Sequence, residues 1–424
     1  MRYIVDVTQL AHWSGNLTGI PRVMDELALR FSKYKQSETT FVCWVKDIDA
    51  MCEIDFTLTR SNRGHGIDFI RKNDDSLAAG ATSKVTITIK RIVKRVGRKT
   101  RLDKTALFQR IANAGRAAEF QNYKRYEPVR HDKLFIPWGE WWDQRWLDKV
   151  VSYAESGVDL YPVCHDIRPM VVPQFSGSSG SLADFVSQVF PVSRKIITES
   201  QSTKADLTKW MKSHRLKAPS IELFRIGEDF STTASRLDGK DMHNKFGVRP
   251  DEYLIYVSTI EPRKNHTLLY YTYKLAHSRG VQLPKLLIIG RVGHDTSEII
   301  KFIKLDPEVN NLIRICDFVG DDELGWLYDN CMFSVVPSFY EGWGMSVVES
   351  IARGKSVVSS NSSSLAEMPK NCVIYFNPNS TDECLNAIME MMQPDTLRKY
   401  RKNAHNYVTH TWDASFQQIL KILG

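Results

Sequence analysis

Two stretches of the chain place charged residues where a bound anion could use them. The first reads Thr-Ile-Glu-Pro-Arg-Lys-Asn over residues 259–265 and follows an apolar run. Arg263 and Lys264 stand just before a segment with helical spacing. Two cations beside the open N–H groups of a helix N-terminus suit a diphosphate. The second stretch, Pro337 to Ser350, contains Glu341-Gly342-Trp343-Gly344-Met345 and then Glu349. Gly342 and Gly344 would let the backbone approach a ligand closely. A helix is expected to begin near Met345 and to aim its N–H groups into the same space, with Glu349 one turn in. Val347, Val348, Ile351 and Ala352 flank Glu349, a setting in which an idle carboxylate is costly. Ionisable groups so placed mark binding or catalytic sites. The plainer readings are a solvated Arg-Lys pair, a Glu341 that caps the helix and a Glu349 at the surface.

These residues need elements to hold them. From about residue 251, short apolar runs alternate with helical patterns. The runs are Tyr253–Ser258, Leu286–Ile289, Leu312–Val319, Phe333–Val336, Ser356–Ser359 and Val373–Phe376. They are rich in Val, Ile and Leu, as strands covered on both faces should be. Helical stretches such as Thr267–His277 and Asp321–Asn330 separate them. This rhythm predicts a doubly wound parallel α/β sheet, whose ligands lie beyond the carboxyl ends of the strands. Earlier in the chain, Tyr3–Val7 reads as a strand before Thr18-Gly19-Ile20-Pro21-Arg22-Val23. Val163-Cys164 leads into His165-Asp166. A lone His at a strand end is often only a satisfied polar residue. Trp138, Trp141, Trp142 and Trp146 form an aromatic cluster, read as packing rather than sugar stacking.

The chain has 424 residues, 42% apolar and 25% charged, which excludes disordered and fibrous classes. Length points to two or three domains. Seven scattered Cys without C-x-x-C argue against a disulfide framework or a Cys-rich zinc site, and suit a reducing compartment. Met1-Arg2 leads into too short an apolar run for a signal peptide, and no run is long enough for a transmembrane helix. A cytoplasmic location is expected. Between Lys84 and Arg130 fourteen Lys or Arg face three Asp or Glu, net +11, whereas the whole chain carries +8. Ile89, Ile92, Val93 and Val96 share one helical face there, with Lys90, Arg91, Lys94 and Arg95 away from it. Such a helix can lie on an anionic membrane surface or pack on its own domain. No nucleic-acid motif accompanies it.

Taken together, the motifs resemble a known family. Glu341-Gly-Trp-Gly with Glu349 resembles the Glu-x7-Glu signature of retaining glycosyltransferases of the GT-B fold, family four. Arg263-Lys264-Asn265 resembles their diphosphate loop. Phe318-Val319-Gly320 before Asp322-Glu323-Leu324 resembles the segment around the nucleotide base. Leu365-Ala-Glu367 and Val373 to Pro378 resemble the end of the donor domain. The match runs over about residues 250 to 412. More loosely, the Gly19 loop, His165-Asp166, Thr198 to Asp206 and Arg225-Ile-Gly227 resemble parts of the acceptor half.

The resemblance implies two Rossmann-like α/β domains facing across a cleft. Residues 1–235 would form an acceptor-side domain with a basic insertion at about 50–135. Residues 236–407 would bind the nucleotide sugar, and 408–424 would return to the first domain as a helix. It implies a retaining hexosyltransferase that needs no metal. Arg263 and Lys264 would neutralise the leaving diphosphate. Glu341 and the backbone of Gly342, Trp343, Gly344 and Met345 would hold the sugar, with His165 beside it. Glu349 would bind the ribose, Val319 would line the base, and Gly19 would face the donor. GDP-mannose is the first donor expected, with a lipid-linked glycan in O-antigen or other surface-polysaccharide assembly as acceptor. The alternatives are a UDP-hexose transferase, a GT-B epimerase or phosphorylase, and a scaffold without catalysis.

Overall fold

The structure, a computed structural model, describes residues 2–14, 17–57, 123–176, 180–229 and 237–424. The basic stretch read as an amphipathic helix lies, up to residue 122, outside the described residues. The chain divides into two compact units. One is residues 1–163 with 184–196 and 423; the other is 164–183 with 197–422 and 424.

Thirteen described strands form two sheets. The first contains β1 (Tyr3–Asp6), β2 (Thr39–Val45), β3 (Ala50–Glu53), β4 (Lys133–Ile136), β5 (Asp159–Cys164), β6 (Ile196–Thr198) and β7 (Ile221–Leu223) in the order β3-β2-β1-β4-β5-β6-β7. β3 runs antiparallel to β2, while β1 pairs in parallel with both β2 and β4. All four residues of β1, Tyr-Ile-Val-Asp, are buried, as a strand covered on both faces requires.

The second sheet contains β8 (Tyr253–Val257), β9 (Lys285–Ile289), β10 (Ile313–Cys316), β11 (Phe333–Val336), β12 (Val357–Ser360) and β13 (Val373–Phe376) in the order β10-β9-β8-β11-β12-β13. The described pairings of this sheet are parallel. The order reverses between β8 and β11, so a crevice opens at their carboxyl ends. The core beneath is apolar and continuous, from Leu254 and Tyr256 through Phe333 and Val348 to Met391.

Two expectations need correction. The run Leu312–Val319 is a strand only over Ile313–Cys316. Phe318 is 85% exposed, because Gly320 caps the helix Asp321–Asn330 and the chain must leave the sheet to reach it. The supposed insertion at 50–135 contains two strands of the first sheet. β3 closes its edge and β4 lies at its centre. Four-residue strands carry little periodicity, and β4 meets β1 across about 130 residues of chain. Asp47-Ile48-Asp49, which has the spacing of a metal motif, forms the turn between β2 and β3, with Asp49 2.8 Å from Arg145.

The Trp cluster divides. Trp146 is fully buried against Phe185, whereas Trp142 is 45% exposed and meets Trp141 edge-on at 5.0 Å. All seven cysteines are buried and free. Burial pushes the Cys52 thiol up to about 11 and those of Cys331 and Cys384 to about 12.

The last helix, Trp412–Leu423, lies against residues 225–227. Ser415 Oγ donates to the Arg225 carbonyl at 2.6 Å, and Gln418 accepts from the Arg225 N–H at 2.7 Å. A Cβ added at Gly227 would overlap the Trp412 indole and stand 2.7 Å from the Trp412 Cα. Gly227→Ala is therefore expected to cost about 1–3 kcal/mol by overpacking, read as a lowered urea midpoint. An unchanged midpoint would contradict this packing.

Candidate functional site

The loops after β8 and β11 meet where the strand order reverses. After β8, a short 3-10 turn, Pro262–Lys264, is followed by Asn265 in the left-handed region at φ 57°. The Asn265 amide donates to the carbonyls of Pro337 at 3.1 Å and Pro378 at 2.9 Å. One side chain thus joins three loops. Asn tolerates this backbone region better than most residues, which explains its place there. The Phe339 N–H donates to the Arg263 carbonyl at 2.9 Å and ties the β11 loop to the same turn.

The charged groups converge on Glu341. Arg263 Nη1 donates to Glu341 Oε2 and to the Tyr340 carbonyl, both at 2.6 Å. Lys264 Nζ donates to Glu341 Oε1, and Arg263 Nη2 to Glu261 Oε1, again at 2.6 Å. The two cations and two carboxylates balance. Arg263 Nε is buried with no hydrogen-bond partner among the described residues. Burial alone would raise the Glu341 carboxyl, but the Arg263 and Lys264 charges outweigh it and bring it down to about 2. Burial pushes the Arg263 guanidinium down, and the Glu341 and Glu261 charges more than reverse this. Lys264 ends lowered, by burial first and then by the Arg263 charge. His266, next along the chain, is lowered to about 3 by burial and by Lys264, so it is neutral beside Ser258 Oγ at 3.2 Å.

Serines hold the backbone around Glu341. Ser360 Oγ donates to the Ser338 carbonyl at 2.6 Å, Ser362 Oγ to the Phe339 carbonyl at 2.5 Å and Ser364 Oγ to the Glu341 carbonyl at 2.8 Å. Ser363 Oγ accepts the Glu341 N–H at 2.8 Å. The sequence reading missed this role. The run Ser359 to Ser364 is visible in the sequence, but its composition suggests a loose loop rather than a clamp.

A Cβ at Gly342 would overlap the His165 carbonyl oxygen, so the absence of a side chain lets two loops touch. Gly344 caps the helix Met345–Ala352, and a Cβ there would stand 2.8 Å from Leu365 Cδ2. Trp343 is half-buried against the second core. Glu349 is half-buried and accepts from the Tyr328 hydroxyl at 3.1 Å. Burial raises Tyr328 well above its ordinary value, and the Glu349 charge adds to this. Val319 packs beside the smaller cluster around Trp326 and Leu327.

His165 follows β5, and its Nδ1 lies 2.5 Å from Glu199 Oε1 at the end of β6. Glu199 was not singled out from the sequence, since only the fold brings these strand ends together. Further ties surround this pair. Tyr340 OH donates to Asp206 Oδ2 at 2.7 Å, and the Glu367 carboxylate accepts the N–H groups of Gln201 at 2.9 Å and Ser202 at 2.7 Å. Arg263, Lys264, Glu341, Gly342 and His165 are thus brought together in the second unit. Gly19 belongs to the first, where it caps the helix Ile20–Tyr34 at φ 58°, and a Cβ added there would meet no atom of the described residues within 4 Å.

The second sheet is thus a parallel one with a charge-balanced cation pair at its switch point, the architecture of a doubly wound α/β protein. Residues 239–408 match the family of glycosyl transferases group 1. Across 155 residues the chain is 31% identical to the O-antigen chain mannosyltransferase B of Escherichia coli, covering 37% of this chain and 40% of that protein. It is 25% identical over 277 residues to the serotype-specific mannosyltransferase WbdA of Escherichia coli, 60% of this chain and 33% of that one. The chain spans well under half the length of these two relatives. Among solved structures, Anabaena HepE in complex with UDP and glucose aligns at a TM-score of 0.61 and 15% identity, over 100% of this chain and 99% of the other. Sucrose-phosphate synthase from Thermosynechococcus elongatus aligns at 0.63 and 15%, over 100% and 98%. The fold is GT-B, with two Rossmann-like α/β domains.

The Glu341 carboxyl is ordinarily near 4.5 and lies near 2 in the folded chain. Its contribution to stability is therefore full above about pH 4.5 and is lost as the pH falls toward 2. Wild type is expected to exceed Glu341→Gln by on the order of 3 kcal/mol near neutrality, a gap that closes with acid. Chemical denaturation of both proteins across that range tests it, and a pH-independent gap would refute it.

Proposed function

We propose that the protein is a retaining glycosyltransferase that moves a hexose from a nucleoside-diphosphate sugar, with GDP-mannose as donor, to a growing lipid-linked glycan. The observation that carries this reading is the pinning of Arg263 and Lys264 on Glu341 at the β8/β11 switch point. In this reading the diphosphate offers both cations a second anion, and Glu341 becomes able to accept a sugar hydroxyl. The backbone of Gly342, Trp343, Gly344 and Met345 adds the helix N-terminus to the same site. Glu349 takes the ribose, and Val319 lines the base.

The bond between the anomeric carbon and the leaving phosphate oxygen breaks as the acceptor oxygen bonds to the same face. The acceptor's proton passes to the departing diphosphate. No side chain need act as nucleophile. Arg263 and Lys264 stabilise the developing negative charge, which is largely a matter of preorganisation, and no metal is required for it.

Mannose and O-antigen assembly are supported by what the relatives are called. A UDP-hexose donor is the second reading, favoured by the UDP bound in the HepE complex. Association with the inner face of the cytoplasmic membrane belongs to the same proposal and rests on the charge of residues 84–130. Among the described residues no helix is long and apolar enough to cross a membrane.

The test is a donor panel with EDTA present, in which released nucleoside diphosphate is followed and the anomeric configuration of the product is read by NMR. GDP-mannose is expected to turn over with retention. Lys264→Ala and Glu341→Ala are each expected to lower turnover by about 100-fold or more. Turnover of no donor, inversion, or a dependence on added metal would each overturn part of the proposal. Unchanged sedimentation with anionic liposomes after deletion of 84–130 would remove the membrane component.

A further inference from the structure

Glu199 is a carboxylate that the scheme above leaves unused. Its side chain is 4% exposed, as is natural for a residue at the end of the buried strand β6, and burial of a carboxylate demands a partner. It does not cap the helix that follows. Ser200 does so, by accepting the Thr203 N–H at 3.0 Å. What faces the Glu199 carboxylate is the imidazole of His165, with Nδ1 and Oε1 2.5 Å apart.

A carboxylate oxygen can only accept, so the contact with Oε1 makes Nδ1 the protonated ring nitrogen. The backbone of His165 is fixed independently. Thr203 Oγ1 donates to its carbonyl at 3.3 Å, and Gly342 abuts the same oxygen. The residue next to that glycine is Glu341. Strand ends, glycine contact and carboxylate therefore fix the main chain, the ring plane and the protonated nitrogen of His165 beside the Glu341 turn.

We propose that Glu199 is a positioning residue for His165, holding its imidazole in one orientation as the Nδ1–H tautomer so that Nε2 meets the donor sugar as a hydrogen-bond acceptor. This rests on the transferase reading for what Nε2 meets, but not for the tautomer itself. A carboxylate one strand away from a histidine, aimed at its Nδ1, decides which nitrogen carries the proton as a backbone carbonyl or Asp does at other histidine sites. A ring freed from it would sample both tautomers, and the one protonated on Nε2 would present a donor where an acceptor is needed.

The experiment uses the full chain labelled with 15N-histidine and long-range 1H–15N NMR, with His165→Gln to assign the ring. Wild type is expected to show the Nδ1–H pattern for His165. Glu199→Gln is expected to give a mixture or the opposite tautomer, and to lower kcat by about tenfold or more while KM for the donor moves less than about threefold. Glu199→Asp keeps the charge and is expected to restore the tautomer and much of kcat. If Glu199→Gln does not fold, the wild-type ring decides, with protonation on Nδ1 supporting the proposal and protonation on Nε2 overturning it. An unchanged tautomer in folded Glu199→Gln, or wild type already protonated on Nε2, overturns the proposal. A tautomer shift in a protein that turns over no donor keeps the positioning role and instead removes the transferase reading.

Discussion

A carboxylate withdrawn from water between two cations governs this molecule. Glu341 is nearly buried, and it is tolerable there only because Arg263 and Lys264 each give it a charge-assisted hydrogen bond. The dependence is mutual, since neither cation would be at ease in that position without Glu341. The loops after β8 and β11 must therefore arrive in one relative geometry, and the sheet supplies it by pairing those two strands side by side. Asn265 and the serines of 360–364 then freeze the loops so that the charges cannot relax apart. With two cations matched by two carboxylates, the cluster carries no net charge and needs no ligand to be tolerable.

The glycine turn extends this control to a distant part of the chain. Gly342 sits directly after Glu341 and touches the His165 carbonyl. Tyr340, directly before it, reaches Asp206. The residues on both sides of one carboxylate therefore secure the segments that carry His165 and Glu199. A side chain at position 342 would separate them, which gives that glycine a reason beyond close approach to a ligand.

Much of the second half was legible because its signals are local. The strands Phe333–Val336 and Val373–Phe376 and the helix Asp321–Asn330 appear where apolar runs and spacing place them. The helix expected near Met345 begins there. Arg263, Lys264 and Glu341 could be named from residue type, spacing and family resemblance. What could not be read depended on pairing across the chain. β4 is four residues long and earns its central position only by lying beside β1 and β5. Glu199 looks like an ordinary strand-end residue until β5 and β6 lie side by side. The clamp made by Ser360 to Ser364 could not be read either, because composition says nothing about the carbonyls within their reach. The apolar run to Val319 reads as strand, but the strand ends at Cys316 because the chain leaves the sheet to reach the cap at Gly320.

The burial of all seven thiols has a practical side. Their sulfurs are shielded by packing, and burial holds those of Cys52, Cys331 and Cys384 in the unreactive protonated form. The natural chain is thus already a silent background for thiol chemistry. A cysteine introduced at Val408, 86% exposed, or Leu305, 67% exposed, would be the one nucleophilic sulfur a maleimide or spin label meets. Pairs of such labels would report distances within the native protein without removing any residue of its core.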